Sequence, residues 1–216
     1  AHGSMHNLIP DDLHQDITLV QGIPRPLAMM GGLDGTFDAA LFIGYHAGAS
    51  NPLGVLAHSF SDSMREVRLN QEPVNEALFN AAIAGHLDVP VVLVSGDDQL
   101  KDEIEVKMPW VECVVTKWSL SRTSARNLTP KASQEKIRAA AFTALKNLAQ
   151  AQPFIVSKPT TMEVDFARPV MALLVSDIPG IERTSGVTVR FEAKDMLEAT
   201  RIFRLMSNAS MSKYPV

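Results

Sequence analysis

Two histidines near a strongly apolar stretch are the residues of this chain best placed to do chemistry. Residues 39–45 form the apolar stretch, His46 follows it directly, and His58 comes after a loop rich in glycine, serine and asparagine. Open α/β sheets bind their ligands beyond the carboxyl ends of the strands, and histidine is the commonest metal ligand. We therefore predict that His46 is a metal ligand and that His58 stands beside it in an active site.

Simpler interpretations of these residues stay open at the level of spacing. His46 could have no role beyond a hydrogen bond to a loop carbonyl, and His58 could be a surface loop residue. Glu76 follows Asn75, which is a plausible helix N-cap, and a carboxylate in the first helical turn is also favoured by the helix dipole. Three separated histidine and glutamate ligands suit zinc, which keeps an open position in catalytic sites. Because the chain lacks a His-Glu-x-x-His motif, spacing alone does not decide the matter.

Other polar residues have structural interpretations. Asp97 and Asp98 suit a solvated turn that enters a helix. His86 follows a helix-ending glycine, where a positive charge favours the helix dipole. Cys113 alternates within an apolar strand and is typical of a packed core thiol.

Composition excludes several classes of protein. The chain has 216 residues, a net charge of -4, 46% hydrophobic residues and one cysteine. This length can bury a core without disulfides, and one cysteine leaves no disulfide framework. No basic patch suggests nucleic acid as a partner, and no apolar run reaches the length of a membrane span. On composition alone, Gly3, Ser4 and Met5 resemble a cloning scar.

Strand and helix signals alternate in the front half of the chain. Asn75 begins a helix rich in alanine, residues 89–94 are the strongest strand, an acidic helix follows near 99–107, and 111–116 form another strand. This alternation is the signature of βαβ units. Because 39–45 are apolar at every position, we expect a strand covered on both faces. Residues 17–20 are β-branched and predict a further short strand.

The rear of the chain has a different pattern. Residues 119–127 are polar and predict a loop, and Thr129 caps a helix that runs to about residue 149. Residues 161–166 and 188–192 alternate as half-buried strands do, and Asp195 opens a final helix through a capping box. We predict an α/β fold with a mostly parallel sheet flanked by helices, and a second, smaller α+β part at the C-terminus. The domains are predicted as 1–118 and 119–216.

Taken together, several segments resemble the DppA-type D-aminopeptidase family. The most specific are Gly44-Tyr45-His46, Ala57-His58-Ser59 and Pro73-Val-Asn-Glu76. The matching segments cover almost the whole chain in order: 31–37, 40–47, 57–59, 73–76, 89–98, 121–125, 128–130 and 191–199.

The resemblance implies a binuclear zinc peptidase that releases N-terminal D-amino acids from short peptides. It implies that His46 and Glu76 are zinc ligands and that His58 is a catalytic residue that does not bind the metal. The family also has a zinc-binding histidine shortly before Met-x-Asn-Leu, and this assigns His2 as a ligand. That assignment replaces the interpretation of the first residues as a cloning scar. The resemblance further implies a ring-shaped homo-oligomer, typically a decamer. The single cysteine fits a reducing compartment, so we expect a cytoplasmic location.

One departure from the family pattern sets an expectation about activity. The family carries an Asp-x-Glu strand before this histidine, and its carboxylates are further zinc ligands. No such strand precedes His2, so we expect weak metal binding and little activity if nothing replaces it. Two alternatives stay open. One is a metallo-amidohydrolase of other substrate specificity, and the other is a non-catalytic binding or assembly protein that retains the fold.

Overall fold

The computed structural model describes residues 8–210 of the chain. In chain order, the strands are β1 (Ala40–Phe42), β2 (Met64–Leu69), β3 (Glu72–Pro73), β4 (Val91–Asp97), β5 (Glu112–Ser121), β6 (Ser124–Asn127), β7 (Thr160–Phe166), β8 (Glu182–Arg183) and β9 (Thr188–Ala193). The helices are α1 (Glu76–His86), α2 (Asp98–Lys107), α3 (Pro130–Lys146), α4 (Pro169–Ser176) and α5 (Met196–Ser210). Within the described residues, none of the helices combines the length and the apolar character that a membrane crossing needs.

The first sheet has the order β1-β4-β5-β6, and its first three strands are parallel. All seven residues of β4 are buried, because helices cover both faces of this strand. Val91 and Val94 pack in the main core with α1. Val92 packs in a smaller cluster with Ala144 of α3. A central strand covered on both faces explains its unbroken apolar sequence.

The second sheet is antiparallel and has the order β3-β2-β7-β9-β8. Buried residues alternate along β7, where Met162, Val164 and Phe166 face the core. Helix α5 buries one face against this sheet, with Met196 and Phe203 among its core residues. The period of two in the strand and the single apolar face of the helix produce a two-layer arrangement.

The predicted fold class is confirmed by this architecture, and most predicted elements lie within a few residues of the observed ones. The predicted domain boundary stays a prediction. Residue 118 lies within β5, and β2 from the front part pairs with β7 from the rear part.

Three local predictions were wrong. Residues 17–20 form no strand, and Ile17 and Val20 are about half exposed, because β-branched residues need a pairing partner to form a sheet. The predicted loop 119–127 is instead a hairpin of β5 and β6, and a polar sequence is usual for an edge strand. The stretch 39–45 contributes only the short edge strand β1, with Leu41 36% exposed, so it is not covered on both faces.

Candidate metal centre

His46 lies beyond the carboxyl ends of β1 and β4. The Gly44 amide donates to Ser95 Oγ at 3.0 Å, and the Tyr45 amide donates to the Ser95 carbonyl at 2.9 Å. A Cβ on Gly96 would lie 2.5 Å from the Tyr45 carbonyl oxygen, so only glycine lets the two chain segments approach this closely. The end of β4 thereby fixes the backbone that presents His46.

Glu76 is the first residue of α1 and is 1% exposed. Asn75 caps this helix, because its side-chain oxygen accepts a hydrogen bond from the Leu78 amide at 2.8 Å. Glu76 Oε1 accepts a hydrogen bond from the Phe60 amide at 2.7 Å. A buried carboxylate needs such partners, and here one of them comes from the loop that carries His58.

The loop around His58 is held in a sparsely populated backbone conformation. Leu56 has φ +52° and Phe60 has φ +60°, and a non-glycine residue in this region costs on the order of 1–2 kcal/mol. The Phe60 ring packs against Phe79 and Phe203, with ring centroids 5.2 and 4.5 Å away. This aromatic contact holds the strained residue so that its amide points at Glu76.

Both histidines are oriented by backbone carbonyls. His46 Nδ1 lies 3.1 Å from the Ala47 carbonyl oxygen, and His58 Nδ1 lies 2.6 Å from the Leu56 carbonyl oxygen. Because a carbonyl can only accept, each Nδ1 carries the hydrogen and donates it. In the neutral imidazoles Nε2 is then the basic nitrogen. Metal-binding histidines are commonly held in this way.

The two Nε2 atoms converge on Glu76. His46 Nε2 lies 3.4 Å and His58 Nε2 lies 3.5 Å from Glu76 Oε1. The imidazole rings stack with centroids 3.9 Å apart, and the three groups can place one ligand atom each within 4.8 Å of one another. Two imidazole nitrogens and one carboxylate oxygen are the donors that catalytic zinc sites use, so the residues present fit a zinc ion.

The electrostatics of the cluster follow from its burial and its charges. Burial by itself lowers the pKa of the His46 imidazole, but the hydrogen bond and the charge of Glu76 outweigh it, and the net pKa is raised. Burial by itself raises the pKa of the Glu76 carboxyl, but His46 outweighs it, and the net pKa is lowered. The carboxylate form of Glu76, which a metal requires, is thus favoured by its surroundings.

Comparison with known proteins places the chain in a family. The family model described as D-aminopeptidase matches residues 1–205. The chain belongs to the D-aminopeptidase family. A D-aminopeptidase of Bacillus subtilis (strain 168) is 38% identical over 213 residues, which are 98% of this chain and 77% of that protein. The predicted resemblance is therefore confirmed.

A solved structure agrees with this membership. It is described as the Zn-dependent D-aminopeptidase DppA from Bacillus subtilis, a self-compartmentalizing protease. The TM-score is 0.95 at 36% sequence identity, over 99% of this chain and 78% of that chain. The family fold thus extends over both sheets of the present structure.

The structure brings together three of the four residues that the sequence proposed for the site. His46, His58 and Glu76 form one cluster, whereas His2 lies outside the described residues. Their roles as ligand or catalyst stay predictions. The placement of Glu76 at a helix start, next to an N-cap, is common in helices without any metal, so spacing did not select this residue and the family resemblance did.

Sequence reasoning missed the groups that hold the cluster in place. Asp97 was assigned to a solvated turn, and this was wrong. It is 2% exposed, caps α2 through the Leu100 amide at 2.9 Å, and accepts from the Val55 amide at 2.7 Å. The aspartate three residues before a buried leucine is a signal for the cap, but nothing in the sequence indicates the bond to Val55.

The assignment of Asp98 to the same turn was also wrong, because Asp98 is the first residue of α2 and accepts from the Ser119 amide at 2.9 Å. The predictions for His86 and Cys113 agree with the structure. His86 is the last residue of α1, so it lies at the C-terminal end of a helix as predicted. Cys113 is half-buried, and burial raises the pKa of its thiol to about 12. A thiol with so high a pKa is a weak nucleophile at neutral pH, in agreement with a packing role.

Proposed function

We propose that this protein is a zinc-dependent aminopeptidase that hydrolyses short peptides with an N-terminal D-amino acid. The observation that carries the proposal is the convergence of His46 Nε2 and His58 Nε2, on two half-buried histidines, with Oε1 of the buried Glu76. Membership of the D-aminopeptidase family supports the reaction class. The description of the structural relative as Zn-dependent supports the metal.

His46 and Glu76 would hold the metal, together with His2. Two zinc ions are proposed for the complete site. A bound zinc ion supplies a Lewis acid and a water molecule of lowered pKa. The chain's own contribution is to keep Glu76 ionised and to hold each Nδ1 against a backbone carbonyl, so that each Nε2 faces the cluster.

His58 is proposed as the catalytic residue that does not bind metal. Its Nδ1 is occupied by the Leu56 carbonyl, so Nε2 is the atom that can take up and deliver a proton, and general acid–base catalysis by histidine works in this way. A protonated Nε2 would also donate to a developing oxyanion. The distance of His58 from Glu76 equally suits a metal ligand, and the His58→Ala variant decides between the roles.

Metal analysis and peptide hydrolysis test the proposal together. The full-length protein and the variants His46→Ala and His58→Ala are analysed for bound zinc and for hydrolysis of D-Ala-D-Ala and L-Ala-L-Ala. We expect zinc and D-selective activity in the wild type, loss of both in His46→Ala, and loss of activity with zinc retained in His58→Ala. Loss of zinc in His58→Ala would reassign it as a ligand.

The same assay separates the alternative functions. Hydrolysis of L-peptides or other amides in preference to D-peptides would indicate a metallo-amidohydrolase of different specificity. Zinc bound without any hydrolysis would indicate a non-catalytic protein that retains the fold. Unchanged zinc content in His46→Ala would contradict the proposed ligand set.

Self-association into a ring-shaped homo-oligomer, with ten copies as the expected number, is part of the proposal. The structural relative is described as self-compartmentalizing. Helix α3 has one buried residue, while Phe142 is 71% and Leu145 50% exposed on the same face. An exposed apolar face of this kind favours association. Light scattering should give the mass of an oligomer for the wild type and a smaller mass for Phe142→Asp.

A cytoplasmic location completes the proposed function. Its support is the single cysteine of the chain, since a reducing compartment needs no disulfide framework. Fractionation of the source cells with an antibody against the protein tests it. Recovery in the secreted or membrane fraction would contradict the location.

A further inference from the structure

We propose that Glu103 is a positioning residue of the metal centre, an inference that rests on the proposed function. Glu103 lies on α2 and belongs to none of the elements that carry the cluster. Its carboxylate joins the loop between the two histidines, residues 47–54, to the N-terminus of α1. It thereby fixes the spacing between His46 and Glu76.

Three donors from two segments meet on the Glu103 carboxylate. Oε2 accepts from the Gly48 amide at 3.1 Å and from Asn75 Nδ2 at 2.6 Å. Oε1 accepts from Asn51 Nδ2 at 2.7 Å. Among the described residues, no lysine or arginine nitrogen lies within the 4.0 Å of an ion pair with Glu103. The carboxylate therefore acts as a hydrogen-bond acceptor for the loop and the cap.

The bond to Asn75 controls the start of α1. Because Glu103 accepts from Nδ2, the Asn75 side-chain oxygen must point the other way, toward the Leu78 amide that it caps at 2.8 Å. In any other orientation of the Asn75 amide, its oxygen would not accept from the Leu78 amide and the helix would lose this cap. Glu76 follows the cap directly, so the orientation of Asn75 sets where this carboxylate enters the cluster.

The bonds to Gly48 and Asn51 control the loop after His46. Asn51 Oδ1 accepts from the Gly54 amide at 2.9 Å, so the side chain held by Glu103 also folds the loop. Gly48 is buried, and a Cβ there would lie 3.3 Å from Asn75 Cβ. Gly48, two residues after His46, thus lies directly against Asn75, one residue before Glu76. Because the Glu103 carboxylate binds both the loop and the cap, it holds them at a fixed distance from each other.

Such partners outside the ligand shell have measurable effects on metal binding. Removal of a residue that orients a ligand typically costs about 10–100-fold in metal affinity or activity. The Glu103→Ala variant removes all three acceptor bonds. The Glu103→Gln variant keeps one oxygen that can accept from Gly48 and Asn75, and it is the conservative rescue.

Glu105 provides a matched control on the same helix. Its carboxylate is 48% exposed, and its one ion-pair partner among residues 8–210 is Lys101, at 3.3 Å. An exposed i,i+4 pair of this kind contributes little to stability. Glu105→Ala therefore removes a carboxylate from α2 without touching the loop or the cap.

Four measurements on the full-length protein test the proposal. They are zinc affinity by competition with a chromophoric chelator, the visible spectrum of the cobalt-substituted protein, kcat and KM for D-Ala-D-Ala, and hydrogen exchange of the metal-free protein. For Glu103→Ala we expect about 10–100-fold weaker zinc binding and a changed cobalt spectrum. We also expect lower kcat and faster exchange at Gly48 and in the first turn of α1. Glu103→Gln should recover part of each loss, and Glu105→Ala should behave as the wild type.

The outcomes separate this proposal from the proposed function. If Glu103→Ala binds zinc as tightly as Glu105→Ala with the same cobalt spectrum and kcat, the positioning role is wrong even when the variant is less stable, and the proposed function stands. If the wild type binds no zinc, the proposed function fails and the positioning role fails with it. If metal-free exchange at Gly48 is the same in both variants, the loop is held by other contacts and the proposal is overturned.

Discussion

Replacement of Glu76 by glutamine should separate metal binding from folding. Glutamine has nearly the same shape and keeps an oxygen that can accept from the Phe60 amide at the position of Oε1. In the metal-free protein the change removes a charge-assisted bond with His46, whose Nε2 lies 3.4 Å away. Hydrogen bonds to charged groups contribute about 1.5–3 kcal/mol, so we expect a stability loss no larger than that.

The effect on zinc should be larger than the effect on folding. At an effective dielectric constant of about 20, two unit charges about 4 Å apart interact by about 4 kcal/mol. Loss of the only carboxylate in the described cluster should therefore weaken zinc binding by about 10³-fold or more. Denaturant unfolding of the metal-free protein and competition with a zinc chelator measure the two effects separately.

Two results would refute this reasoning. Equal zinc affinity in Glu76→Gln and the wild type would show that Glu76 is not a ligand. A stability loss well above 3 kcal/mol in the metal-free protein would mean that the carboxylate serves mainly to hold the fold. Asn80, also on α1 and buried beside Tyr45, supplies the control: Asn80→Ala should lower stability and leave zinc affinity almost unchanged.

Further predictions address the fold around the centre. Gly85→Ala should destabilise the protein by about 1–3 kcal/mol in urea unfolding, because a Cβ would lie 2.1 Å from the Phe154 carbonyl oxygen. Alanine in place of glycine stabilises a solvent-exposed helix, so a gain in stability here would contradict the close approach. Asn75→Ala should cost about 1 kcal/mol through the lost cap and weaken zinc binding, and unchanged zinc affinity would count against the link to the centre. Hydrogen bonds from Arg68 hold the pKa of the Asp165 carboxyl below 3.8, so its stabilising contribution is present above pH 3.8 and is lost as the pH falls through the lower folded pKa. The difference in unfolding free energy between the wild type and Asp165→Asn should therefore shrink below pH 3.8. A difference that grows there would refute the assignment.

The elements that the sequence predicted well are those whose local signals agree with their tertiary surroundings. Residues 89–94 are apolar throughout and lie in the central, fully buried strand β4. Asn75 and Thr129 cap helices as their types suggest. Where a signal needs a partner far along the chain, prediction failed. The run 17–20 has strand propensity, but none of the strands in the described part of the chain pairs with it.

The candidate site shows the same division. The position of His46 after a strand marked it for function, since strand ends meet at one edge of a sheet. Resemblance to a family, rather than spacing, selected Glu76 from the many carboxylates at helix starts. The contacts of Asp97 with Val55 and of Glu103 with Gly48 join residues 42 and 55 positions apart. No local pattern encodes such contacts, because their geometry exists only after the sheet has formed.

The position of Phe60 has a thermodynamic consequence for the C-terminal helix. Its amide binds Glu76, while its ring packs against Phe203 of α5. A ligand that tightens the cluster must then stabilise the packing of α5, and by reciprocity a loosening of α5 must weaken that ligand. The free energy of zinc binding and the free energy of packing α5 against the protein are therefore coupled. The affinity of the centre can be tuned from α5 by residues that never touch the metal.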